Sequence, residues 1–201
     1  MKFNKSYSYD DVLLVPQYSD IESRKDIDIS VNMGNHIYLS TPIISAPMDT
    51  VTNQHMANAL NECGALGVIH RYNTILEQID LVKSVDVYRA AAVGVSGDFK
   101  ERATALVEDA NVNVICVDIA HGHHVLMKKA LTWLRENFED THLMAGNVAT
   151  LEAFNDLADW GADSIRVGIG GGSICSTRLI TGHGVPSLTS ILDCAKTDRD
   201  A

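Results

Sequence analysis

The chain has 201 residues, 46% of them hydrophobic and 21% charged, with a formal net charge of −10. This balance fits one soluble globular domain and argues against a non-specific nucleic-acid binder, which needs a basic face; a single nucleotide stays admissible, because a few backbone amides can hold one phosphate. Its four cysteines lack framework spacing, Met1–Tyr7 lacks an apolar signal core, and no apolar run reaches the ~18 residues of a membrane span, so a reducing, cytoplasmic setting without a membrane is expected.

In chain order, apolar runs at Pro42–Ala46, Ala65–His70, Ala90–Val95, Val112–Ile119, His142–Ala145 and Ser164–Gly168 predict short strands covered on both faces. Amphipathic stretches predict helices at Gln54–Glu62, Thr74–Ser84, Phe99–Asp109, Val125–Asn137, Leu151–Trp160 and Ser187–Cys194. Strand-then-helix units in a row predict a parallel sheet with helical crossovers. Chemistry-bearing residues follow nearly every strand: Met48-Asp49-Thr50, His70-Arg71, Asp118 with His121, Asn147, and a loop ending in Cys175. A doubly wound sheet gathers such groups at one switch point, whereas every strand of a barrel contributes at its carboxyl end. The distributed pattern therefore predicts an α/β protein of the (β/α)8 barrel type.

Only about six units are present where a closed barrel has eight, in about 250 residues. Residues 1–201 are thus expected to be the N-terminal three-quarters of a barrel domain, continued in a longer polypeptide or completed by another chain, with two strand edges left unpaired. The end, Thr197–Ala201, reads as a frayed tail.

The densest signal is Val167-Gly-Ile-Gly-Gly-Gly-Ser-Ile-Cys175-Ser-Thr177-Arg178. An unpaired cysteine is ordinarily a small buried hydrophobe, and Cys63, Cys116 and Cys194, in apolar or helical surroundings, read that way. Cys175 differs, because it sits just past a strand end on a loop whose glycines let a ligand approach the backbone, a suitable mount for a thiolate nucleophile. Other readings stay open: Gly168–Gly172 as a generic phosphate loop or turn, Asp118 as a turn cap, Asn147 as a turn residue, and Arg166 in a structural ion pair. His70, His121, His123 and His124 have no carboxylate or thiol at fitting spacing, so no metal centre is expected from them.

The loop from Gly168 to Arg178, followed by Thr181-Gly-His-Gly-Val-Pro186, resembles the catalytic loop of the IMP dehydrogenase and GMP reductase family. Further matches run in order along the whole chain: Tyr9-Asp-Asp-Val-Leu-Leu-Val-Pro16, Ser45-Ala-Pro-Met-Asp-Thr-Val-Thr52, Gly67-Val-Ile-His-Arg71, Val117-Asp-Ile-Ala-His-Gly-His123 and Ala145-Gly-Asn-Val-Ala-Thr150. The resemblance implies a barrel, normally a homotetramer, acting on a purine nucleotide. It implies Cys175 as the nucleophile at purine C2, forming a covalent thioimidate, and Thr177 as the hydroxyl beside the leaving group or water. It implies Ser173, Gly172 and Met48 as nucleotide contacts. Asp118 would face the ribose of the dinucleotide, and Asn147, Arg166, Gly168 and Gly170 would line its nicotinamide side. The carbonyls of Gly170, Gly172 and Cys175 would bind a monovalent cation, usually potassium.

Three departures stand out. Gly171 replaces a more usual proline or serine. Nothing intervenes between Lys83 and Ala90, where many IMP dehydrogenases carry paired nucleotide-sensing (CBS) modules. The mobile flap and the glycine loops after strands seven and eight are not in the chain. The expected activity is NAD-dependent oxidation of IMP to XMP. The alternatives are GMP reduction with NADPH, a non-catalytic piece of a split or truncated enzyme, and a simple nucleotide-binding module.

Overall fold

The computed structural model describes residues 5–201, so part of the Met1–Tyr7 stretch read above lies outside the described residues. An antiparallel hairpin of β1 (Val31–Asn32) and β2 (Tyr38–Leu39) precedes five parallel strands. These are β3 (Val68–Ile69), β4 (Ala90–Val93), β5 (Val114–Asp118), β6 (His142–Val148) and β7 (Ser164–Val167), adjacent in space in the order of the sequence. A parallel bridge between Ile44 and Leu66 adds a sixth segment beside β3. Helices α1 (Gln54–Glu62), α2 (Ile75–Lys83), α3 (Phe99–Glu108), α4 (Val125–Asn137) and α5 (Leu151–Asp159) connect the strands, and α6 (Thr177–Thr181) and α7 (Ser187–Cys194) follow β7. No helix among the described residues is long and apolar enough to cross a membrane.

Strand side chains alternate between two cores, as a period of two requires. Ala91, Val93, Ile115, Val117, Leu143 and Ala145 face the helices, where Leu106, Met127, Leu131, Leu134 and Leu157 pack on them. Ala90, Ala92, Val114, Cys116 and Met144 face the opposite side, where the other buried members of the cluster among the described residues come from the first strands and the hairpin: Ile37, Leu39, Leu66 and Val68. Helices on one face and strand order without reversal distinguish a barrel from a doubly wound sheet. The architecture is a partial (β/α)8 barrel, its interior plugged at one end by β2. Each fully buried Leu or Ile contributes about 2 kcal/mol relative to exposure, so the helix-facing layer carries most of the stability.

Local chemistry sets the helix ends. The Asn53 carboxamide accepts from the amides of His55 and Met56 at 3.1 Å each, opening α1. Thr74 and Glu77 form a reciprocal capping box on α2, which trims the expected Thr74–Ser84 by its two capping residues. Gly182, at φ 69°, stops α6.

Several expectations are corrected. The strand expected at Pro42–Ala46 is reduced to the single Ile44 bridge; it lies at the sheet edge, and Pro42 has no N–H to donate. Ala65–His70 shortens to Val68–Ile69, beside Gly67, where a Cβ would fall 2.4 Å from Ala57 Cα on α1. His142–Ala145 instead runs on to Val148 through a register shift between Gly146 and Val148. The end of the chain is docked rather than frayed: Thr197 Oγ1 donates to Asn155 Oδ1 at 2.5 Å, and Arg199 Nε meets Asp159 Oδ1 at 2.7 Å, both on α5. Cys63, the residue capping the end of α1, is exposed rather than packed, while Cys116 and Cys194 are buried.

Candidate active site

The carboxyl ends of β5, β6 and β7 are bound to one another by side chains that the sequence singled out. Asp118 ends β5, and its register partner across the sheet is Gly146, which in turn pairs with Arg166 on β7. Gly146 is required there, because a Cβ would lie 2.6 Å from Arg166 Cβ. Across that gap the Arg166 guanidinium reaches Asp118 Oδ1 at 2.5 Å and Cys116 Sγ at 3.4 Å. Arg166 thus has the ion-pair partner that an arginine in an apolar strand needs. Burial pushes the Cys116 thiol up to about 11, against the pull of the guanidinium. Asn147 Nδ2 donates to the Gly168 carbonyl at 3.0 Å, its amide to the Ile119 carbonyl at 3.1 Å, and its own carbonyl accepts from Gly122 at 2.8 Å. Asn147 therefore joins three loops.

Beyond β7 the chain is built differently. Gly168 and Gly170 adopt φ of 134° and 75°, conformations that favour glycine, and Gly171 to Ile174 are exposed. A tight turn, with the Cys175 amide donating to the Gly172 carbonyl at 3.1 Å, presents the half-buried thiol just before α6. Cys175 Sγ lies 3.3 Å from Thr177 Oγ1. The Thr177 hydroxyl and amide, then the Gly170 amide and the Arg178 charge, favour the thiolate and hold the Cys175 pKa below its ordinary value. Arg178, which the sequence reading passed over, packs its stem within 3.0 Å of where a Cβ on Gly170 or Gly184 would sit. Its position three residues after the cysteine was the available signal.

Most of the expected site residues therefore fall into two groups. Asp118, Asn147, Arg166 and Gly168 are directly connected, and Gly170, Gly172, Ser173, Cys175 and Thr177 share the loop. Ser173 is exposed with no hydrogen-bond partner among the described residues, and Met48 is partly exposed, its carbonyl holding the turn at Val51 and Thr52. No hydrogen bond among the described residues joins Met48 to either group.

Two cavities open at this end. One of about 300 Å³ lies inside the barrel, lined by Ser45, Ala46, Pro47, Cys116, Asn147 and Arg166 among others. A second, of about 560 Å³ and largely apolar, is lined by Ala120, His121, Ile169, Thr177, His183 and Val185 among others. His121 and His183 are thus brought beside Thr177 from separate loops. No cluster of three or more His, Cys, Asp or Glu among the described residues could hold a metal ion.

Comparison with known proteins gives these features a family. A family model described as the IMP dehydrogenase / GMP reductase domain matches residues 6–201. A crystal structure of inosine 5' monophosphate dehydrogenase from Legionella pneumophila superposes with a TM-score of 0.91 at 44% identity, over 97% of this chain and 60% of that one. The inosine-5'-monophosphate dehydrogenase of Bacillus subtilis is 30% identical over 330 aligned positions, 98% of this chain and 67% of the relative. The GMP reductase of Mycoplasma mycoides is 32% identical over 200 positions, 96% of this chain and 62% of the relative. The chain spans 60% to 67% of the lengths of these three proteins. With its partial barrel and its cysteine loop past β7, it belongs to the IMP dehydrogenase / GMP reductase family of oxidoreductases.

Proposed function

We propose that the chain carries the catalytic cysteine half of an IMP dehydrogenase, oxidising IMP to XMP with NAD. The observation that carries this reading is the Cys175 thiol, pKa lowered, hydrogen-bonded to Thr177 and mounted on a glycine loop beside an apolar cavity. Purine C2 lies between two ring nitrogens and is electrophilic. The Cys175 thiolate adds there, forming a C–S bond and a tetrahedral carbon. Loss of hydride from C2 leaves the thioimidate, and water then adds at C2 and breaks the C–S bond, releasing XMP and the thiol. When bound, the dinucleotide accepts that hydride.

This chain's own residues bind and orient. Thr177 Oγ1 stabilises the thiolate and afterwards stands beside C2 to hold the water. Ser173 and the exposed amides of Gly171 and Gly172 suit a phosphate. Met48, on the turn after the Ile44 segment, packs against the purine. Asp118 gives Oδ1 to Arg166 and keeps Oδ2 without a protein donor among the described residues, which suits ribose hydroxyls. Arg166, Asn147, Gly168 and Gly170 form the wall on which the nicotinamide side lies. The donor set for a monovalent cation also fits: the carbonyls of Gly170, Gly172 and Cys175 are neutral oxygens, and that of Gly172 has a second lone pair beyond its bond to Cys175.

The test, run on the protein with its barrel complete, is product formation from IMP with NAD and, separately, from GMP with NADPH, together with mass spectrometry of the denatured protein after incubation with IMP. NADH in the first mixture and a nucleotide adduct on Cys175 are expected. Turnover confined to the second mixture makes the protein a GMP reductase, a reading favoured by the 200-position alignment to the Mycoplasma enzyme, which needs no long insertion. The dehydrogenase reading is favoured by the 44% identity of the Legionella enzyme. Neither turnover nor adduct would overturn both.

A further inference from the structure

The tripeptide His121-Gly122-His123 leaves β5 with its three residues committed in three directions. His121 lines the apolar cavity that Thr177 also lines. Gly122 is buried against the next loop: its amide donates to the Asn147 carbonyl at 2.8 Å, and a Cβ would fall 2.9 Å from that oxygen. His123 turns outward, where its Nε2 meets Asp156 Oδ2 on α5 at 2.8 Å and its ring stacks on Trp160 with centroids 5.9 Å apart. Because a carboxylate only accepts, Nε2 carries the hydrogen of this bond. Lys128 Nζ, 5.7 Å from the Trp160 ring centre, ties the first turns of α4 to the same aromatic.

We propose that His123 is a positioning residue, a latch that fastens the β5–α4 loop to α5 and so holds His121 and Gly122 at the cavity wall. The loop has a hydrogen bond on each flank of Gly122. On the inner side are the backbone bonds to Gly146 and Asn147, at the end of β6. On the outer side, His123 bonds to Asp156 and stacks on Trp160, at the helix that follows β6, just before His124 caps α4. Without the outer tie, the loop pivots on its inner bonds and His121 leaves the cavity. The consequence for dinucleotide binding, through Asp118 at the start of this loop and Asn147 bonded to Gly122, rests on the function proposed above; the latch itself does not. Neither His123 nor Asp156 touches the reacting atoms, so their loss should weaken binding and spare the chemical step.

Two readouts test this on the full chain. Amide hydrogen exchange at residues 119–124 should quicken about fivefold in His123→Ala, the worth of one partly exposed charged hydrogen bond, and return toward wild type in His123→Gln, whose Nε2 has similar reach. In the IMP assay the same alanine variant should raise the apparent KM for NAD about fivefold and leave kcat within about twofold, with Gln again restoring it. Unchanged exchange at the Gly122 amide would overturn the latch, as would equal losses in kcat and KM for both substrates that Gln fails to rescue. If the protein turns over no purine nucleotide, the function proposed above fails and the exchange arm alone still decides the latch.

Discussion

The two halves of the site differ in how they are held. On the β5–β7 side, Asp118, Arg166 and Asn147 sit at strand ends and share four short contacts across three loops. On the cysteine side, the stretch from Gly168 to Gly172 is tied to the frame at its first residue, where the Gly168 amide donates to the Val148 carbonyl and its carbonyl accepts from Asn147; beyond it, Ile169 accepts from Val185 and Gly172 from Cys175, and Ile174, Leu179 and Ile180 are largely exposed. One half is a preorganised frame, in which charges cost little to reorient because they are already paired. The other is an adaptable arm, suited to the movement that the proposed nucleophile requires. Stability and chemistry should therefore separate between the halves when each is mutated.

The largest contrast comes from Cys175→Ala. If the thiolate forms the covalent intermediate, turnover of IMP falls by about a thousandfold or more, while the urea unfolding midpoint stays where it was. Arg166→Ala should do the reverse to stability. It leaves the Asp118 carboxylate, largely buried, without its partner and should lower the unfolding free energy by about 2 kcal/mol, read by urea titration. An unfolding loss as large for Cys175→Ala as for Arg166→Ala would erase the distinction.

Glycine substitutions sharpen it further. Gly122→Ala drives a Cβ to 2.9 Å from a backbone oxygen that cannot move without breaking the Asn147 junction, and should cost about 1–2 kcal/mol. Gly171→Ala meets only the Ser187 hydroxyl, at 2.1 Å, which can rotate away; its cost should stay within about 0.5 kcal/mol. Equal losses at the two positions would mean that the loop is as tightly built as the frame.

The smallest effect concerns acidity. Thr177→Val removes the hydroxyl that contributes most to lowering the Cys175 pKa, so the pKa should rise. Alkylation by iodoacetamide tracks the thiolate fraction. At a fixed pH below that pKa the variant should label more slowly, and at alkaline pH the two proteins should converge. Peptide mapping at Cys175 reads this directly, with exposed Cys63 serving as the unaltered control.

The regions also differed in how far the sequence disclosed them. α4 and α7 were legible to the residue, because apolar periodicity and polar ends coincide there. The frame was legible as residue types at strand ends, but not as a network: that Arg166 spans to Asp118 depends on Gly146 lying between them in register, which no local pattern reveals. The five-residue α6 was missed because Thr177–Thr181 is too short to show a period and is followed at once by Gly182. The hairpin β1–β2 was missed for a similar reason: its strands are two residues each, and its turn uses Asn35 and His36 at positive φ rather than glycine alone. The cysteine loop was legible as a glycine-rich segment past a strand end, because composition survives without coordinates; the roles expected of its residues came from the family resemblance.

Two sulfurs near this site have opposite fates. Cys116, in the barrel interior against Arg166, is held as a neutral thiol, its pKa near 11, and reacts poorly with electrophiles or peroxide. Cys175 is the more acidic and the more open. A brief oxidant pulse would therefore deposit a sulfenic acid at one address and spare the other, and a reductant would restore the enzyme without any interior repair.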